Sequence, residues 1–81
     1  MNRDESTTTI RGILGEIAPE ADLDSVDPKA DLRTEIDLDS LDFLTLVEKL
    51  AVTTGVDIPE SDYRDVRSFS GLVEYVTARS A

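Results

Sequence analysis

The chain has 81 residues, with 18 acidic against 8 basic side chains for a formal charge of −10, and neither cysteine nor histidine. A chain this acidic repels phosphate backbones, which argues against nucleic-acid binding. Without cysteine or histidine it also lacks a disulfide framework, a zinc ligand set and an imidazole base, so an enzyme is not expected.

What remains is a single domain spanning 1–81 with a modest core. Hydrophobic residues make up 40% of the chain but aromatics only 5%, which favours helices packed through Leu, Ile and Val.

Residues 1–5 read as a loose polar start. From about Ser6 onward, Ile10, Ile13, Leu14 and Ile17 fall at i, i+3, i+4 and i+7, one face of an amphipathic helix. Gly12 and Gly15 weaken that helix and Pro19 stops it. Residues 1–9 hold no apolar stretch, so they do not read as a signal peptide, and no segment reaches membrane-spanning length; the cytoplasm is the expected location.

Residues 19–39 carry Asp, Ser and Pro throughout, a long connection for a compact domain. Leu23, Val26, Leu32, Ile36 and Leu38 punctuate it as apolar anchors, which predicts an ordered loop pinned to the core.

A second helix is predicted over residues 40–54, with Leu41, Leu44, Val47 and Leu50 forming a stripe that Phe43 and Leu46 widen, and Gly55 as its stop. Val56-Asp57-Ile58-Pro59 is an extended link, and Pro59 suits the opening of a brief helix ending near Arg64. Ser68 caps a last helix in which Phe69, Leu72, Val73 and Val76 repeat the helical spacing. The expected fold is all-α, a four-helix bundle of three main helices and one short one, with a long loop between helices one and two.

Two near-identical segments stand in that loop: Asp22-Leu23-Asp24-Ser25-Val26-Asp27 and Asp37-Leu38-Asp39-Ser40-Leu41-Asp42. Ser25 leads into Asp27-Pro28-Lys29, a turn that cannot enter a helix directly, whereas Ser40 opens a strongly periodic helix. Only Ser40 therefore sits at a helix N-terminus, where free N–H groups and the helix dipole favour a phosphoester. Position alone favours an ordinary N-cap at Asp39 or Ser40 over a modified serine. An EF-hand starting at Asp37 would place acids at Asp37, Asp39 and Glu48, but Leu41 and Asp42 stand where a ligand and the turn glycine belong. No metal centre is expected; a weak surface cation site near these acids stays open as an alternative.

Asp39-Ser40-Leu41 in this setting resembles the Asp-Ser-Leu signature of the acyl carrier proteins. Asp57-Ile58-Pro59 resembles that family's acidic-Ile-Pro link, and Glu74-Tyr75-Val76 its Asp/Glu-Tyr-Ile/Val near the end of the last helix; the similarity spans roughly residues 6–78. The resemblance implies that a phosphopantetheinyl transferase moves a 4′-phosphopantetheine arm from coenzyme A onto Ser40, flanked by Asp39 and Leu41, and that the arm's thiol carries an acyl or aminoacyl group as a thioester. The absence of cysteine is compatible with this, because the arm then supplies the sole thiol.

The resemblance also implies a monomer whose partners are the transferase, a loading ligase and acyl-processing enzymes with basic docking patches, meeting Asp39, Asp42, Phe43 and Glu48. Leu44, Val47 and Leu50 are expected to line the core. The chain departs from the family's pattern at Asp37, where glycine is common, and in a second helix made less acidic by Thr45, Lys49, Ala51, Val52 and Thr53. Phe43 stands where a small or polar surface residue is common, so a specialised carrier with a dedicated partner docking partly through Phe43 is expected. A free-standing aminoacyl or peptidyl carrier, a non-carrier acidic helical adaptor and a paired-carboxylate enzyme are the alternatives.

Overall fold

The computed structural model describes residues 1–80. Among them the helices are α1 (Arg3–Ile17), α2 (Leu32–Glu35), α3 (Ser40–Thr54) and α4 (Phe69–Arg79), with 3-10 segments at Leu23–Ser25 and Glu60–Val66. The expected all-α bundle holds, and its brief fourth member is the seven-residue 3-10 helix Glu60–Val66. No helix among the described residues is long and apolar enough to cross a membrane.

Helix α1 starts earlier than the polar composition predicts. Asn2 accepts a hydrogen bond from the Glu5 N–H at 2.8 Å, and Glu5 Oε1 accepts one from the Asn2 N–H at 3.1 Å. This reciprocal box satisfies two otherwise orphaned donors, and Asp4 and Glu5 complement the dipole of the first turn. Residues 1–5 are therefore mostly cap and first turn, a correction to the loose start expected. Further along α1, Ile10, Ile13 and Leu14 are buried as their spacing predicts.

The long connection is ordered by backbone pairing as well as by its apolar anchors. The Leu32 N–H donates to the Arg67 carbonyl at 2.8 Å, and the Ser70 N–H donates to the Pro28 carbonyl at 2.8 Å. Asp31 and Ser68 form an isolated antiparallel bridge between these bonds. Leu32 and Leu38 are buried, while Leu23, Val26 and Ile36 pack partly against the core. Helix α2 is one turn long, too short to show a period, and Asp31 caps it by accepting from the Arg33 N–H at 2.9 Å.

Helix α3 ends where Gly55 takes φ +75° and returns its N–H to the Ala51 carbonyl at 3.0 Å. Its core face is Leu46, Val47 and Leu50. Leu41 is 73% exposed and Leu44 44% exposed, so the core position expected of Leu44 is corrected and the stripe turns inward only from Leu46 onward. Helix α1 packs against α3 and α4, and the 3-10 helix Glu60–Val66 lies against α4. That last contact is close: a Cβ on Gly71 would stand 2.4 Å from the Asp65 carbonyl oxygen. It is reinforced by the Tyr75 hydroxyl, which donates to Asp62 Oδ2 at 2.6 Å.

Candidate functional site

The two repeated serine segments diverge in their hydroxyls. Ser25 ends a 3-10 turn capped by Asp22, and its Oγ donates to Asp22 Oδ2 at 2.7 Å. That bond, then the Asp24 N–H, holds the Asp22 carboxyl below the usual carboxylate range. Ser25 is thus committed to local structure.

Ser40 is the first residue of α3, and the cap is supplied by its neighbours. Asp39 Oδ1 accepts from the Asp42 N–H at 2.8 Å, and Asp42 Oδ2 accepts from the Asp39 N–H at 3.4 Å. The reading that Ser40 is itself the cap is thereby set aside. Its side chain is exposed and makes no hydrogen bond among the described residues. A free hydroxyl therefore stands at the positive end of a helix of 15 residues.

The approach to this position is fixed by Leu38, which is buried, and by Asp37, whose φ of +60° lies in the left-handed region. Short polar side chains tolerate that region better than other non-glycine residues do. The position where the resembling family prefers glycine thus has a glycine-like backbone here, reached with aspartate.

Ser40 lines a cleft of about 490 Å³ between the start of α3, helix α2 and the 3-10 helix Glu60–Val66. Leu32, Leu38, Leu46 and Val66 give it a buried apolar floor. Phe43 and Tyr63 form one wall, their ring centroids 5.2 Å apart at an interplanar angle of 54°. Phe43 is half-buried in that pair and does not stand free on the surface. Arg33, Arg67, Asp31 and Glu60 supply the polar lining, a feature that sequence reasoning missed because none of the four lies near Ser40 in the chain.

The remaining residues singled out from sequence scatter around this point. Leu41 and Glu48 are exposed on α3, and Asp42 is half-buried through its part in the cap. Val52, 88% exposed, extends the uncovered apolar surface of α3 toward its far end. Lys49 is occupied by an ion pair with Glu16 of α1 at 3.1 Å. Val47 and Leu50 are core residues as expected, but Leu44 is at the cleft and partly exposed.

The family model for the phosphopantetheine attachment site matches residues 8–76, which includes α3, the cleft and most of both flanking helices. An acyl carrier protein of Lactobacillus johnsonii (strain CNCM I-12250 / La1 / NCC 533) is 33% identical over 55 residues, covering 68% of this chain and 69% of that protein. With the helical fold and a free serine hydroxyl opening α3, these matches place the chain in the acyl carrier protein family, whose members carry covalent 4′-phosphopantetheine.

Proposed function

We propose that Ser40 is the attachment residue and that the protein carries acyl groups for partner enzymes, in fatty-acid-like or specialised metabolism. The observation that carries this reading is the free Ser40 hydroxyl, exposed at the first turn of α3 while Asp39 and Asp42 do the capping. The residues fit the prosthetic group: the hydroxyl can become a phosphodiester, and the cleft beside it has room and an apolar floor for what the arm carries. When bound, the arm supplies a thiol on which acyl groups are held as thioesters.

The chain's own part is presentation. The Ser40 hydroxyl forms the new O–P bond as the pyrophosphate bond of coenzyme A breaks and adenosine 3′,5′-bisphosphate leaves. The chain offers no imidazole, and the nearest carboxylates are engaged in the cap, so the transferase takes the hydroxyl proton. Asp39, Asp42 and Glu48, with the exposed Leu41 and Leu44 and the edge of Phe43, form the partner surface in this reading. Charge steers a basic enzyme patch toward it, and the apolar residues add contact area.

Mass spectrometry after incubation with coenzyme A and a broad-specificity phosphopantetheinyl transferase tests the assignment. One arm should be added to the wild type and to Ser25→Ala, and none to Ser40→Ala. An arm on Ser40→Ala, or none on the wild type with any transferase, would refute it.

A further inference from the structure

The 3-10 helix Glu60–Val66 is secured unevenly along its length. Ile58 just ahead of it and Val66 at its end are buried, and Val66 is the one buried residue of the helix itself. Its end is also strapped through the backbone, because the Arg67 carbonyl accepts from the Leu32 N–H at 2.8 Å. Between these anchors residues 59–64 form a short arch whose start, at Pro59, has no side-chain cap. Glu60, Ser61 and Arg64 are exposed, so packing holds them little.

Two neighbouring side chains fasten the arch. Tyr63 lies against Phe43 of α3, with ring centroids 5.2 Å apart. Asp62 turns to α4 instead: its Oδ2 accepts from the Tyr75 hydroxyl at 2.6 Å and stands 4.0 Å from Arg79 Nη2. Tyr75 and Arg79 are four residues apart on one helix, and the Arg79 guanidinium lies over the Tyr75 ring, 3.7 Å from its centroid. The cation therefore steadies the ring and backs the carboxylate at once. A hydrogen bond to an ionised acceptor is among the stronger single contacts that an exposed segment can make, and it is made or lost as a unit.

From this arrangement we infer that Asp62, Tyr75 and Arg79 form a latch that shuts residues 59–64 onto α4, and that its release parts Tyr63 from Phe43 and widens the cleft that Ser40 lines. The C-terminal half of α4 thus controls the width of a cleft to which α4 contributes no lining residue.

Amide exchange and NMR on the unmodified protein test the latch, so the outcome does not depend on attachment at Ser40. The Asp62 N–H, bonded to the Pro59 carbonyl at 2.9 Å, reports on the arch, and the Leu32 N–H on the strap. The buried Leu46 reports on global unfolding. Tyr75→Phe keeps the ring and deletes the donor. It should speed exchange at Asp62 by about ten- to a hundredfold beyond any change at Leu32 and Leu46, the range for a hydrogen bond to a charged group. It should also weaken the ring-to-ring contacts between Phe43 and Tyr63. Arg79→Gln removes an exposed cation and should act in the same direction by about two- to fivefold. Asp62→Asn keeps an acceptor for the Tyr75 hydroxyl and should fall between Tyr75→Phe and wild type.

Equal acceleration at Asp62, Leu32 and Leu46 would overturn the inference, because the bond would then add only to overall stability. Faster exchange at Asp62 with unchanged Phe43–Tyr63 contacts would overturn it too, by separating the latch from the cleft. Unchanged exchange at Asp62 in both Tyr75→Phe and Arg79→Gln would show that neither residue holds the arch.

Discussion

Asp39 and Asp42 cap α3 reciprocally, each carboxylate accepting from the other's backbone N–H, at 2.8 Å and 3.4 Å. Between them Ser40 is released from any structural duty. Cap and charge are separable here by substitution. Asp39→Ala removes the acceptor for the Asp42 N–H and should lower stability by about 1 kcal/mol, read from thermal or denaturant unfolding. Asp39→Asn keeps an acceptor and should cost much less. Both should slow arm addition at low salt if the carboxylate steers a basic transferase, and the deficit of Asp39→Asn should shrink as salt screens the attraction. A deficit that does not change with salt would contradict electrostatic steering.

Asp37 shows how the backbone before the serine is held. At φ +60° it occupies a region that a β-branched side chain resists. Asp37→Val should destabilise the protein by about 1–2 kcal/mol, the cost of forcing such a residue into the left-handed conformation. Asp37→Gly should stay within about 1 kcal/mol of wild type, since the relief of strain is offset by the greater freedom of the unfolded chain. Chemical denaturation curves of the two variants decide this. Equal losses would mean that the positive φ is not what the position demands.

These two residues also mark what was legible in the sequence. The periodic runs of α1, α3 and α4 declared themselves, and Gly55 and Ser68 stopped and capped helices at the expected places. The Asn2–Glu5 box lies ahead of the apolar spacing that marks α1, although Asn followed three residues later by Glu is a recognisable start. Leu44 shares a stripe with the buried Val47 and Leu50 yet is partly exposed, because α3 has more apolar residues than its core face can hold. Nothing in a single chain says which face meets a neighbour. The cleft's arginines were invisible for a related reason: Arg33 and Arg67 meet only through the pairing of Leu32 with the Arg67 carbonyl, a contact between distant segments.

Gly71 is where the 3-10 helix Glu60–Val66 touches α4 most closely, and a methyl there has no room beside the Asp65 carbonyl. Gly71→Ala should force the two elements apart and destabilise the protein by about 1–3 kcal/mol, the usual range for overpacking. Amide exchange gives the sharper readout. Residues 60–66 should exchange faster in the variant, while the centre of α3 around Leu46 changes only as much as global stability does. By contrast, Gly12 and Gly15 of α1 have nothing within 4 Å of the position a Cβ would take. Alanine at either should stabilise by about 0.4–1 kcal/mol, which separates the close approach at Gly71 from a general intolerance of alanine in place of glycine.

The acid response should be traceable to Asp31. Its carboxyl is held below the usual range first by the Arg33 N–H, then by that residue's side chain and by the charges of Arg33 and Arg67, against some burial. A group whose folded pKa is depressed adds stability above its unfolded value, near about 3.9 for Asp. That stability is lost as pH falls through the folded value. The stability gap between wild type and Asp31→Asn should therefore be constant from neutral pH to about pH 5 and close as pH drops below about 4. At the alkaline end the sign reverses for Tyr75. Its hydrogen bond to Asp62, followed by burial, raises its pKa, so its contribution is complete below about pH 10 and is lost as pH climbs through the folded value. Tyr75→Phe should remove that alkaline loss while leaving the acid limb unchanged. Melting temperatures of the three proteins across both limbs check the pair together, and an acid gap in Asp31→Asn that persists below pH 3 would show that its carboxylate is not the titrating element.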